Sequence, residues 1–129
     1  MTAFGYTMMC EQSRPDQLVR DVRSAEAAGF DFAVISDHYQ PWVKAQGHFG
    51  YAWSILGAAA GDRPDSADDL CHVPDAALSA GSCRKKAATM QILSGGRFRL
   101  ELGSGENLEH VVGRRWPAAG VRHHMLGEA

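Results

Sequence analysis

Asp37-His38 follows directly on the apolar run Phe32-Ala33-Val34-Ile35, on a loop after a strand-length segment. Histidine titrates near neutral pH, and one ring nitrogen can accept a proton while the other is held by a neighbour. A surface loop histidine that caps a helix is the plainer reading of the same residue. The Asp37 carboxylate can contact a ligand or orient the site, and the residues alone leave both open. Trp42, after Pro41, offers a flat apolar wall with one N–H donor, or else a core or lid aromatic. Glu106 stands in Gly103-Ser104-Gly105-Glu106 at a helix start. There a carboxylate is favourable to the helix dipole, and the flanking glycines let a ligand approach the backbone closely. His48, His72, His110, His123 and His124, with Cys71 and Cys83, lack the paired short spacings of a zinc site, so no metal is expected. Arg97, Arg99, Arg114, Arg115 and Arg122 read as solvated charges.

Composition narrows the classes. The chain has 129 residues, 45% hydrophobic and 22% charged, which suits a globular domain rather than disorder or coiled coil. A formal net charge of −2 leaves no basic footprint for nucleic acid or an anionic membrane. No apolar run approaches the roughly 20 residues a bilayer requires, and the first ten residues lack a basic start and a long apolar stretch. The expected location is the cytoplasm. Cys10, Cys71 and Cys83 are odd in number and form no close pairing pattern, so a disulfide framework is not expected.

The elements that must position these residues are legible in the first third. Phe4–Met8 reads as a short strand. Ser13-Arg14-Pro15-Asp16 then opens a helix, with Pro15 in the first turn and Asp16 favourable to the dipole. Leu18, Val22, Ala25 and Ala28 share one face, and Gly29 stops the helix. Phe32–Ile35 is apolar throughout, as in a strand covered on both faces of a parallel sheet. Strand, helix, strand makes a βαβ unit. Tyr51–Ala60 reads as a helix, Ala87–Leu93 as a short one, and Arg97–Leu102 as a strand with Phe98, Leu100 and Leu102 on one face. A last helical start follows Trp116-Pro117.

Between these lies an anomaly. The alternation demands a buried strand and a crossover helix over Asp62–Lys85, yet Arg63-Pro64-Asp65-Ser66-Ala67-Asp68-Asp69-Leu70 holds three Asp, one Pro and no β-branched residue. Read alone, the segment is loop or disorder. A structureless loop of that length is foreign to a compact α/β domain.

Several motifs occur together in order: Phe4-Gly5-Tyr6, Ala25-Glu26-Ala27-Ala28-Gly29-Phe30-Asp31, Ser36-Asp37-His38-Tyr39-Gln40-Pro41-Trp42, Gly96-Arg97-Phe98 through Gly103-Ser104-Gly105-Glu106-Asn107-Leu108, and Trp116-Pro117 with Arg122 and Met125-Leu126. Over about residues 1–61 and 86–129 the chain resembles the luciferase-like family. Within that family it is similar to deazaflavin (coenzyme F420)-dependent oxidoreductases of the glucose-6-phosphate dehydrogenase type. The resemblance implies a (β/α)8 TIM barrel of roughly 250 residues, of which this α/β chain holds about the first half, with the third strand and its helix disrupted. It implies hydride transfer between a hydroxylated substrate, a sugar phosphate or another alcohol, and coenzyme F420. His38 is then the general base, Glu106 the general acid, Trp42 a wall of the reacting centre, and Asp37, Gly105 and Glu106 cofactor-binding. The parent is expected to be a homodimer acting on a small molecule. A flavin monooxygenase using FMN is the neighbouring enzyme alternative, and a nonenzymatic remnant the alternative from another class.

Segment 62–85 departs from this pattern, and a coding explanation fits. Asp68-Asp69-Leu70-Cys71-His72-Val73-Pro74-Asp75 permits codons whose adjacent frame reads Thr-Thr-Tyr-Val-Thr-Cys-Pro-Thr, a strand and turn of the family's kind. Two compensating frameshifts, near Arg63 and near Arg84-Lys85, are expected on this account. Half a barrel keeps two open edges and an inner face, expected to carry Val34 and Leu100. Such a polypeptide alone is expected to be unstable, aggregation-prone and inactive.

Overall fold

Strands and helices alternate along the chain: β1 (Gly5–Met8), α1 (Pro15–Ala27), β2 (Phe32–Ile35), α2 (Ala52–Gly61), β3 (Asp68–Val73), α3 (Ala80–Leu93), β4 (Phe98–Leu102) and α4 (Ala119–Glu128). The computed structural model describes residues 2–38, 41–61, 68–73, 80–102 and 118–128. The four strands form one sheet in the order β1-β2-β3-β4, with each adjacent pair parallel. That is the topology of successive βαβ units, as the TIM-barrel expectation requires.

Local sequence explains the first unit. Pro15, with its fixed φ, starts α1 after Arg14, whose backbone is extended. Asp16 pairs at 3.0 Å with both Arg14 and Arg20 on the exposed face, which holds its carboxyl below the usual range. Exposed pairs of this kind add little stability. Leu18, Val22 and Ala25 are the buried stripe, while Ala28 is exposed at the C-cap. Gly29 ends the helix at φ 93°, a left-handed conformation that costs glycine little. Asp31 then ties the two strand starts together. Its N–H donates to Phe4 O at 2.8 Å, and its Oδ2 accepts from Phe4 N at 2.8 Å.

The core lies between the sheet and the helices. Met8, Ala33 and Ile35 from the strands pack with Leu18 and Val22 of α1 and with Trp53, Ile55, Leu56, Ala59 and Ala60 of α2. The alanines of α2 let that helix lie close to the sheet. Trp53 reaches Phe98 of β4, ring centroids 5.7 Å apart, and extends the core to the far strand.

Two expectations change. Register places Thr7, Val34, Leu70 and Arg99 in one row and Met8, Ile35, Cys71 and Leu100 in the next. Leu100 therefore does not share a face with Val34; it packs against the helix-side core, and exposed Arg99 takes the row of Val34. Strand alternation makes this unavoidable. The second change concerns Asp62–Lys85. Where loop or disorder was expected, Asp68–Val73 is a strand paired on both sides, and α3 begins at Ala80 rather than Ala87. Backbone pairing to β2 and β4 overrides the weak strand propensity of Asp68-Asp69. Residues 62–67 and 74–79 lie outside the described residues.

Candidate active site at the strand ends

The C-terminal ends of β1 and β2 adjoin, so the residues that follow them meet. Ser36 joins the two. Its Oγ donates to Glu11 Oε2 at 2.9 Å and accepts from Cys10 N at 3.3 Å, and its N–H donates to Met8 O at 3.3 Å. Glu11 is 2% exposed, and its carbonyl accepts from His48 N at 3.1 Å, which pins the later loop to this end of the sheet. Its other carboxylate oxygen, Oε1, is buried without a hydrogen-bond partner among the described residues. A buried carboxylate left half-satisfied is costly, and such groups mark strained or ligand-facing positions. Cys10 is fully buried beside it. Burial first, then the negative charges of Glu11 and Asp37, pushes its thiol up to about 12, so it is an unreactive neutral group at ordinary pH.

Asp37 sits one residue beyond Ser36 and turns toward α2. Its Oδ1 accepts from Ala52 N at 3.3 Å, satisfying one of the free donors at the start of that helix. The carboxylate thus fixes α2 against the loop. His38 meets Trp42 edge-to-face, with ring centroids 5.4 Å apart and planes at 72°. Trp42 is 56% exposed, so the indole forms a wall rather than part of the core. Phe49 and Tyr51, farther along the chain, are also exposed.

Asp37, His38 and Trp42, singled out in the sequence, are therefore brought together at one end of the sheet. Gly105 and Glu106 lie outside the described residues. Glu11 was missed. The signal was present: a charged residue three positions past a strand, at the same end of the sheet as Asp37. Its burial and its bond to Ser36 span 25 positions of sequence, which no local pattern records.

The donor set fits a flat, polar-edged ring cofactor. An orphaned carboxylate oxygen, a histidine and an exposed indole lie on the loops at the C-terminal end of a parallel sheet, where barrel enzymes bind substrates. Among the described residues, no helix is long and apolar enough to cross a membrane.

No protein-family model matches the chain. An F420-dependent glucose-6-phosphate dehydrogenase of Intrasporangium calvum is 35% identical over 135 residues, covering 100% of this chain and 40% of that protein. The enzyme of the same name from Segniliparus rotundus is 36% identical over 129 residues, covering 97% of this chain and 38% of that protein. Among solved structures, an F420-dependent secondary alcohol dehydrogenase in complex with an F420-acetone adduct superposes with a TM-score of 0.85 at 28% identity, over 98% of this chain and 39% of that one. The oxygenating constituent of an FMN-bound 3,6-diketocamphane monooxygenase from Pseudomonas putida matches with a TM-score of 0.77 at 16% identity, covering 98% of this chain and 37% of that one, a likeness of fold alone. The chain spans about 40% of the length of the curated relatives it matches. The chain is similar over its length to part of these F420-dependent dehydrogenases, and its fold matches part of the TIM-barrel structures.

Proposed function

We propose that this chain is part of an F420-dependent oxidoreductase that moves a hydride between a hydroxylated carbon and the deazaflavin. The observation that carries the reading is the cluster of His38, Trp42, Ser36 and half-satisfied Glu11 on adjoining loops of a parallel sheet. Whole-chain identity of 35% to F420-dependent relatives supports it. Bound, the deazaflavin supplies the hydride-accepting carbon. His38 takes the hydroxyl proton as the carbon–hydrogen bond breaks, and Glu106 is the proton donor that balances the reduction. Trp42 closes one side of the reacting centre and excludes water. Asp37, Gly105 and Glu106 are the residues assigned to binding the cofactor, and Asp37 also holds α2 in place. The substrate is a small alcohol, a sugar phosphate or a secondary alcohol, and neither nucleic acid nor membrane takes part.

These 129 residues alone do not turn over, because the loops of the remaining strands complete the site. The anomalous composition of 62–85 fits a pair of compensating frameshifts, which reading the nucleotide sequence of those codons tests directly. The functional test is titration of the chain, with folding monitored by circular dichroism, against F420 and FMN. Quenching of F420 fluorescence at lower concentration than any FMN response is the expected result. A preference for FMN, or no response to either by the folded chain, overturns the reading. Measurable alcohol oxidation by the chain alone overturns its inactivity.

A further inference from the structure

We propose that Lys86 is a positioning residue for the cofactor site: its ammonium group clamps the first turn of α2, the turn on which the Asp37 carboxylate rests. The inference rests on the cofactor role proposed above for Asp37. Lys86 lies on α3, 35 positions beyond Tyr51, yet its Nζ donates to Tyr51 Oη at 2.6 Å. The same nitrogen lies 5.3 Å from the centre of the Tyr51 ring and 5.5 Å from that of Trp53. Lysine ordinarily keeps its charged head in water. Here the head is gathered against two aromatic rings, whose π faces attract a cation. Trp53 is a firm wall for it, buried and set against Phe98 of β4 at 5.7 Å. Met90 of α3 enters the same core, with Ala87 packed against it, so the helix that carries Lys86 is itself anchored.

The clamp reaches the site through one turn of helix. The Tyr51 carbonyl accepts from Ser54 N at 3.1 Å and from Ile55 N at 3.2 Å, which makes Tyr51 the residue that opens α2. Ala52, next in the chain, gives its N–H to Asp37 Oδ1 at 3.3 Å. The first turn of α2 is thus held from α3 by Lys86 and from the loop after β2 by Asp37. A cation at the N-terminal end of a helix opposes the helix dipole, so helix electrostatics do not account for Lys86 there. What the contact does is fix Tyr51, and Ala52 with it. A hydrogen bond already 3.3 Å long tolerates little further displacement. Without the clamp the first turn shifts more freely, and the Asp37 carboxylate loses or follows the N–H it accepts.

Two readouts on the whole chain test the proposal, with folding checked by circular dichroism. One is the amide nuclear magnetic resonance signal of Ala52 in protein carrying isotope-labelled alanine, identified by its loss in Ala52→Gly. The other is the affinity for F420, from quenching of its fluorescence. Lys86→Met keeps a long stem and loses the charge and the donor. It is expected to shift the Ala52 signal and to weaken F420 binding about fivefold. Lys86→Arg, still cationic and able to donate, is expected to keep both near wild type. Tyr51→Phe, which removes only the hydroxyl, is expected to fall between the two. In an Asp37→Ala background, Lys86→Met is expected to leave F420 affinity unchanged, because the residue it acts through is gone. Equal weakening in both backgrounds, as a lysine that merely stabilises the fold would give, overturns the proposal. So does an Ala52 signal that Lys86→Met does not move. If that signal moves while the folded wild type fails to quench F420, the clamp is supported and the cofactor reading of Asp37 is overturned.

Discussion

Asp37 and Cys10 illustrate how single side chains at the strand ends are fixed by what they touch. Asp37 accepts from Ala52 N at the start of α2, so Asp37→Ala frees a helix N-terminal donor and is expected to cost about 1 kcal/mol. Asp37→Asn keeps an oxygen acceptor and is expected to lose less. Thermal melting of the two variants beside the wild type checks the order. Cys10 gives a pH prediction. Its folded thiol, pushed up to about 12 by burial and the nearby acidic groups, lies above its usual 9.0. Between those values the unfolded chain has released the thiol proton and the folded chain has kept it, so stability falls as pH rises through that window. Below it the thiol contributes no slope. In denaturant titrations, the stability of the wild type relative to Cys10→Ala is expected to be lower at pH 10.5 than at pH 8. A folded chain in which iodoacetamide modifies Cys10 readily at pH 8 contradicts the burial.

Elements differ in how much of them is written locally. α1 and β2 are legible because their patterns repeat within a few residues: Leu18, Val22 and Ala25 at helical spacing, and four apolar residues in β2. β3 is the opposite case. Asp68-Asp69-Leu70-Cys71-His72-Val73 has no strand-like pattern, yet it pairs with β2 and β4 along its length. Asp69 pairs with Ala33 and Phe98 in the backbone register. Aspartate is a poor strand former, so Asp69→Val, or the Thr that the adjacent reading frame would place there, is expected to stabilise the fold by about 1 kcal/mol. A shift of the urea midpoint to higher concentration, at unchanged slope, is the expected readout. Unchanged or lower stability counts against this register. The start of α3 at Ala80, earlier than its sequence signal at Ala87, has the same origin. The chain must cross back over the sheet between β3 and β4, and the helix supplies that crossover.

At the scale of the molecule, one core on the helix side of the sheet joins α1, α2 and α3 to β1, β2 and β4. Small cores leave narrow margins of stability, so changes at its centre weigh on the whole fold.

The sequence by itself determined the βαβ start, the parallel α/β class and the loop that carries Asp37, His38 and Trp42, because these rest on spacings of two to four residues and on motifs read within one segment. Tertiary structure alone decided that β3 is a strand, that Leu100 joins the helix-side core while Arg99 takes the row of Val34, and that Glu11 is buried against Ser36. Those outcomes depend on pairing and burial between residues far apart along the chain. A side chain's environment in a parallel sheet is set by its neighbours on adjacent strands, and the crossover helices separate those neighbours in sequence.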